Sequence, residues 1–165
     1  MPIALLDANC FIAASQTAHP EHAAASRVFA LGLSGRATLV ISQHTLLELA
    51  NRPDAAYELA KGLQVVPCFP FGRIQDLAGP ISGLGGTIGQ IGASDRKADI
   101  IGRLARSGSS LRDRGAVLDA IEAHVDFFVT SDRALVDLEP ARRLHDRYGL
   151  RFLTPGEFCL SLDNP

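Results

Sequence analysis

The chain has 165 residues, 47% of them hydrophobic and 21% charged, a balance that belongs to one folded domain and excludes a disordered chain. Sixteen cations against eighteen acids leave a formal charge of −2, which excludes the coating of nucleic acid by bulk charge but leaves room for a local basic groove. The cysteines Cys10, Cys68 and Cys159 are scattered and lack Cys-x-x-Cys spacing, so neither a disulfide framework nor a zinc site is indicated.

Residues 3–6 form a short apolar run that stops at Asp7, and residues 8–15 have room for a short helix. The start MPIALLDANC lacks the basic flank and long apolar stretch of a secretion signal, and no apolar run reaches the ~18 residues of a membrane span. A cytoplasmic protein is expected. After His19-Pro20-Glu21-His22, residues 23–33 have helical spacing and end at Gly35. Residues 38–41 read as a second buried strand, and Ser42 caps a helix with Leu46, Leu49 and Ala50 inward. Asp54 opens a helix that stops at Gly62, and residues 64–66 make a third strand.

The composition then changes. Prolines at 67, 70 and 80 and seven glycines between 72 and 92 mark an irregular segment at about 67–95 within a single domain spanning 1–165. Helical signal returns at 95–106, and Asp113 opens a stronger helix that runs to His124. Residues 126–129 are the most strand-like run and end at Thr130-Ser131-Asp132. A short helix, a helix from Pro140 to Tyr148, a strand at 150–153 and one helical turn from Pro155 complete the chain. Short apolar strands alternating with helices predict an α/β fold, a three-layer α/β/α sandwich around a mostly parallel sheet of about five strands. Ligands of such sheets bind beyond the carboxyl ends of the strands.

Four acids are placed for that edge. Asp7 follows the first strand, Asp132 follows the 126–129 strand, Glu48 lies on the helix after the second strand, and Asp113 starts the helix that feeds Asp132's strand. Clustered carboxylates raise one another's pKa or hold a cation. Hard dications such as Mg²⁺ or Mn²⁺ take oxygen ligands and assist phosphodiester hydrolysis. Taken singly, Asp113 and Asp132 also suit helix N-caps, and Glu48 suits a solvated helix position. The case is made by the four positions together.

The segments LLDANCFIAA (5–14), ISQHTLLELA (41–50), LRDRGAVLDAIEAHVDFFVTSDRAL (111–135) and LRFLTPGEF (150–158) resemble the sequence landmarks of the PIN domain, in order and over nearly all of the chain outside 67–110. The third is the most specific: an acid, a helix with Ala120 seven residues on, Asp126 before an aromatic strand, then Val129-Thr130-x-Asp132. The resemblance implies a Mg²⁺- or Mn²⁺-dependent ribonuclease whose four acids are Asp7, Glu48, Asp113 and Asp132. Asn9, Thr130 and Ser131 would be supporting polar residues. It also implies a VapC-like toxin, with RNA as substrate, a small antitoxin as partner and a homodimeric assembly. Asp119 competes with Asp113, but six residues put the two ~240° apart on a helix, so both cannot face one site. Asp113 fits the spacing to Asp132, and Asp119 is expected to face solvent or pair with an arginine.

Other signals are weaker. Residues 96–114 carry Arg96, Lys97, Arg103, Arg106, Arg112 and Arg114 against Asp99 and Asp113, a net +4 that marks a candidate RNA-binding surface. Fourteen of the sixteen cations are arginines, which suit phosphate, although a GC-rich genome produces the same bias. The glycines at 83–89 lack the ending of a phosphate-binding loop. His19 and His22 suit a surface loop better than a metal site, and His44 and Glu48, one turn apart, suit a weak pair. The competing function is a catalytically silent RNA- or protein-binding module on the same scaffold. A haloacid-dehalogenase-type phosphatase would need an acid at position 9, where Asn9 stands.

Overall fold

The computed structural model describes residues 1–51, 54–66, 111–137 and 139–163, with only the backbone described at 111–114, 134, 139 and 140. Strands β1 (Ile3–Leu6), β2 (Thr38–Ser42), β3 (Gln64–Val66), β4 (Phe127–Val129) and β5 (Arg151–Leu153) form one sheet in the order β3-β2-β1-β4-β5. Every pairing is parallel. The helices described are α1 (Ala8–Ser15), α2 (His22–Leu33), α3 (Gln43–Ala50), α4 (Ala55–Lys61), α5 (Leu111–Glu122), α6 (Arg133–Val136), α7 (Glu139–Tyr148) and α8 (Pro155–Asp163).

Alternate strand residues serve two cores, as the pleat requires. Ala4, Leu6, Leu39, Ile41 and Val129 pack under α1, α2, α4 and α8 with Phe11, Val28, Ala60 and Phe158. Leu5, Val40, Phe128 and Phe152 pack on the opposite face with Val117, Ala120 and Ile121 of α5 and Leu144 of α7. This is a three-layer α/β/α sandwich. Strands buried on both faces read as unbroken apolar runs, which is why β1 and β2 are legible in sequence.

The chain steps outward from β1 to β2 to β3, then returns to place β4 on the other side of β1. The covering helices change face with that reversal, as right-handed crossovers demand. The gap between the carboxyl ends of β1 and β4 is therefore the topological switch point of the sheet.

Local chemistry sets the boundaries. Ser42 caps α3 by accepting the Thr45 amide at 3.0 Å, and Asp54 caps α4 by accepting the Ala56 amide at 2.9 Å. The helix expected at 113–124 spans Leu111–Glu122, and the chain leaves it through His124 at a left-handed φ of 51°. The strand begins at Phe127, one residue later than expected, because the Asp126 side chain accepts the Ile3 amide at 2.8 Å. The single turn expected after Pro155 is the nine-residue helix α8. A capping box starts it: the Thr154 amide and hydroxyl donate to Glu157 Oε2 at 2.8 and 2.9 Å, and the Glu157 amide donates back to Thr154 Oγ1 at 3.3 Å. Among the described residues, no helix is long and apolar enough to cross a membrane.

Candidate functional site

At the switch point the β-ladder extends one residue past each strand. The Asp7 amide donates to the Val129 carbonyl at 3.0 Å, and the Thr130 amide donates to the Leu153 carbonyl at 3.0 Å. These bonds place Asp7 beside Thr130. The Asp7 carboxylate caps α1, accepting the Ala8 amide at 2.7 Å through Oδ1. Its Oδ2 accepts the hydroxyl of Thr130 at 2.7 Å and the amide nitrogen of Asn9 at 3.5 Å.

Thr130 is fully buried, so its hydroxyl position is set by packing. The same oxygen that donates to Asp7 accepts the backbone amide of Asp132 at 3.1 Å. One hydroxyl thus ties the acid after β1 to the turn that carries the acid after β4. Asp132 itself is exposed at the N-terminal side of α6, where its carbonyl accepts the amides of Leu135 and Val136. Ser131, next to Thr130, has a buried hydroxyl oxygen with no hydrogen-bond partner among the described residues.

Cys10 lies behind Asp7. Its thiol donates to the Val129 carbonyl at 3.2 Å. Burial, and next the negative charge of Asp7, push its pKa well above the ordinary thiol value, so it stays protonated. The edge therefore presents oxygen donors and no thiolate.

The other two candidate acids are carried by helices. Glu48 lies on α3, the helix after β2, and is partly exposed. Asp113 lies in the first turn of α5, on the stripe shared by Ala116, Val117 and Ala120; its side chain is outside the described residues. Asp7 is linked through the Thr130 hydroxyl to the backbone of the turn that carries Asp132. Among the described residues no group of three or more His, Cys, Asp or Glu side chains is placed to hold a metal ion. Arg96, Lys97, Arg103 and Arg106, and the glycines at 83–89, lie outside the described residues, as do the side chains of Arg112 and Arg114.

Asp119 does not face solvent. It is 1% exposed, with its Oδ2 3.8 Å from Nε2 of His44 on α3. The reason is that α5 has two buried sides: residues 116, 117, 120 and 121 face the sheet, while 115 and 119 face α3. Burial lowers the pKa of His44, which favours the neutral ring. His44 thus turns toward α5. Gly115, four residues before Asp119 inside a helix, was the available sequence signal for this close approach. His19 and His22 have local structural partners: His19 Nδ1 accepts the Glu21 amide, and His22 Nδ1 bonds the Ala13 carbonyl.

A divalent cation can be tested against this donor set. Mg²⁺ is commonly held by one or two carboxylates with several waters, and it does not require an all-protein cage. The Asp7 carboxylate, the turn that carries Asp132 and a protonated thiol behind Asp7 fit a hard, oxygen-seeking ion. A comparison with protein-family models finds no family that matches the chain, and a comparison with curated proteins finds no match.

Proposed function

We propose that this chain is a Mg²⁺- or Mn²⁺-dependent endoribonuclease of the PIN type, hydrolysing RNA phosphodiester bonds as the toxin of a toxin–antitoxin pair. The observation that carries the reading is the Thr130 hydroxyl, which links Asp7 to the turn of Asp132 at the switch point of a parallel sheet. In this reading Asp7, Glu48, Asp113 and Asp132 hold the ion. A bound dication supplies Lewis acidity to the phosphodiester and to the water that attacks it.

The chain's own part is to keep oxygen donors oriented before substrate arrives. Thr130 fixes the rotation of the Asp7 carboxylate, and the Ala8 amide holds its other oxygen. The amide of Asn9 lies at the edge of the same carboxylate. Cys10 keeps its proton, so it adds no competing soft ligand. The arginines between 96 and 114 supply the phosphate-binding surface in this reading. A small antitoxin, a homodimer and a cytoplasmic setting follow from the resemblance in sequence and stand or fall with it.

The test is cleavage of several unstructured RNAs by the purified chain. Cleavage is expected with Mg²⁺ or Mn²⁺ and is lost with EDTA or in Asp7→Asn. RNA binding that persists with no metal-dependent cleavage would replace the nuclease with a silent binding module.

A further inference from the structure

Of the four acids, Asp7 and Asp132 inherit their positions from the β-ladder, whereas Glu48 and Asp113 ride on separate helices. Helix α3 has only eight residues, too few to hold its place without tertiary contacts. Its apolar side, Leu46 and Leu49, packs into the first core. Its other side meets α5 through His44. A Cβ built on Gly115 would lie 2.7 Å from Cδ2 and 2.8 Å from Nε2 of that ring, closer than real Cβ atoms come. The ring therefore occupies the space a side chain at 115 would fill. A glycine inside a helix is destabilising relative to alanine, and here it is matched to a specific neighbour. One turn further along α5, the buried Asp119 faces the same imidazole at 3.8 Å.

We propose that His44, seated on Gly115 beside the buried Asp119, is a positioning residue that sets the spacing between the helix carrying Glu48 and the helix carrying Asp113. The inference rests on the nuclease reading, because it assigns those two acids to one ion. His44 touches no substrate in this account. It acts through the helix that bears Glu48, one turn away on the same side.

The experiment is a Mn²⁺ titration of the full chain, following the spin resonance of the free ion, with a thermal melt of each protein. The set is wild type, Gly115→Ala, His44→Ala, the double variant Gly115→Ala/His44→Ala, and Asp119→Asn. Gly115→Ala is expected to weaken Mn²⁺ binding about tenfold or more while remaining folded. The double variant is expected to recover only part of that loss, since the smaller side chain at 44 makes room for the new methyl but the spacing ring is gone, and His44→Ala alone is expected to bind more weakly than wild type. Wild-type affinity in a folded Gly115→Ala overturns the proposal, and so does a double variant that binds no better than Gly115→Ala. If Gly115→Ala does not fold, His44→Gln and Asp119→Asn, which introduce no such clash, decide it: weakened binding supports the spacer and wild-type binding overturns it. If the wild type itself binds no Mn²⁺, the nuclease reading fails and takes this inference with it, a result distinct from wild-type binding that the variants leave unchanged.

Discussion

Strands β1 and β4 are fastened by an aspartate at each end. At the amino end, Asp126 accepts the Ile3 amide through its side chain, and its backbone bonds Ile3 and Arg151. It lines an open cavity of about 430 Å³ with Arg151, whose guanidinium lies 5.5 Å over the Phe127 ring. At the carboxyl end, Asp7 accepts a backbone amide and the Thr130 hydroxyl, and that hydroxyl is shared with the turn of a second acid. Both carboxylates are well bonded. What differs is the company they keep. Asp126 shares its cavity with a cation and closes the sheet. Asp7 is linked through Thr130 to the turn of Asp132, where the chain reverses direction, and in the proposed reading this is where a dication would sit.

The sharpest way to break this contrast is to neutralise each acid. Asp7→Asn and Asp132→Asn are each expected to lower metal-dependent RNA cleavage by about 10³-fold or more, measured as single-turnover rates. Asp126→Asn keeps an acceptor for the Ile3 amide and is expected to leave the rate within a small factor of wild type. Equal losses at both ends would erase the distinction.

Thr130→Val comes next. It removes the shared hydroxyl, leaving the Asp132 amide and Asp7 each short of a bond, and is expected to destabilise the fold by about 1–3 kcal/mol in urea titrations. Because the hydroxyl orients a proposed ligand, cleavage should fall about 10–100-fold, with Thr130→Ser restoring most of it.

The capping box of α8 offers a smaller effect away from the site. Thr154→Ala is expected to cost about 1 kcal/mol with cleavage by the folded protein unchanged. Its partner Glu157 has a pKa below the ordinary 4.5, chiefly because the Thr154 amide donates to the carboxylate. In the window between the lowered folded value and 4.5 the unfolded chain binds more protons. The contribution is therefore complete above 4.5 and lost as pH falls through the folded value. The urea midpoint of Glu157→Gln should accordingly decline less steeply than that of wild type below pH 4.5.

Much of the scaffold is legible in sequence because it is local. Unbroken apolar runs such as Leu39-Val40-Ile41 announce strands buried on both sides, and Ser42 and Asp54 announce the helices they cap. Asp7 is legible for the same reason, standing directly after a buried strand. The contact of His44 with Gly115 joins residues 71 positions apart, and no periodicity in either helix reports on it. Asp119 looks solvent-facing because a polar residue is expected on the outer side of an amphipathic helix; α5 has a second buried side against α3. Asp126 reads as part of the strand, and only the pairing of β1 with β4 reveals it as the staple below that strand.

The most direct measurement is anomalous scattering from crystals of the chain soaked in Mn²⁺. The account predicts a single region of density in contact with the carboxylates of Asp7 and Asp132, at the ~2.0–2.2 Å distances of a hard dication, with Glu48 and Asp113 turned toward it. A well-ordered crystal with no manganese at the carboxyl ends of β1 and β4, or with Glu48 and Asp113 directed away from Asp7, would contradict it.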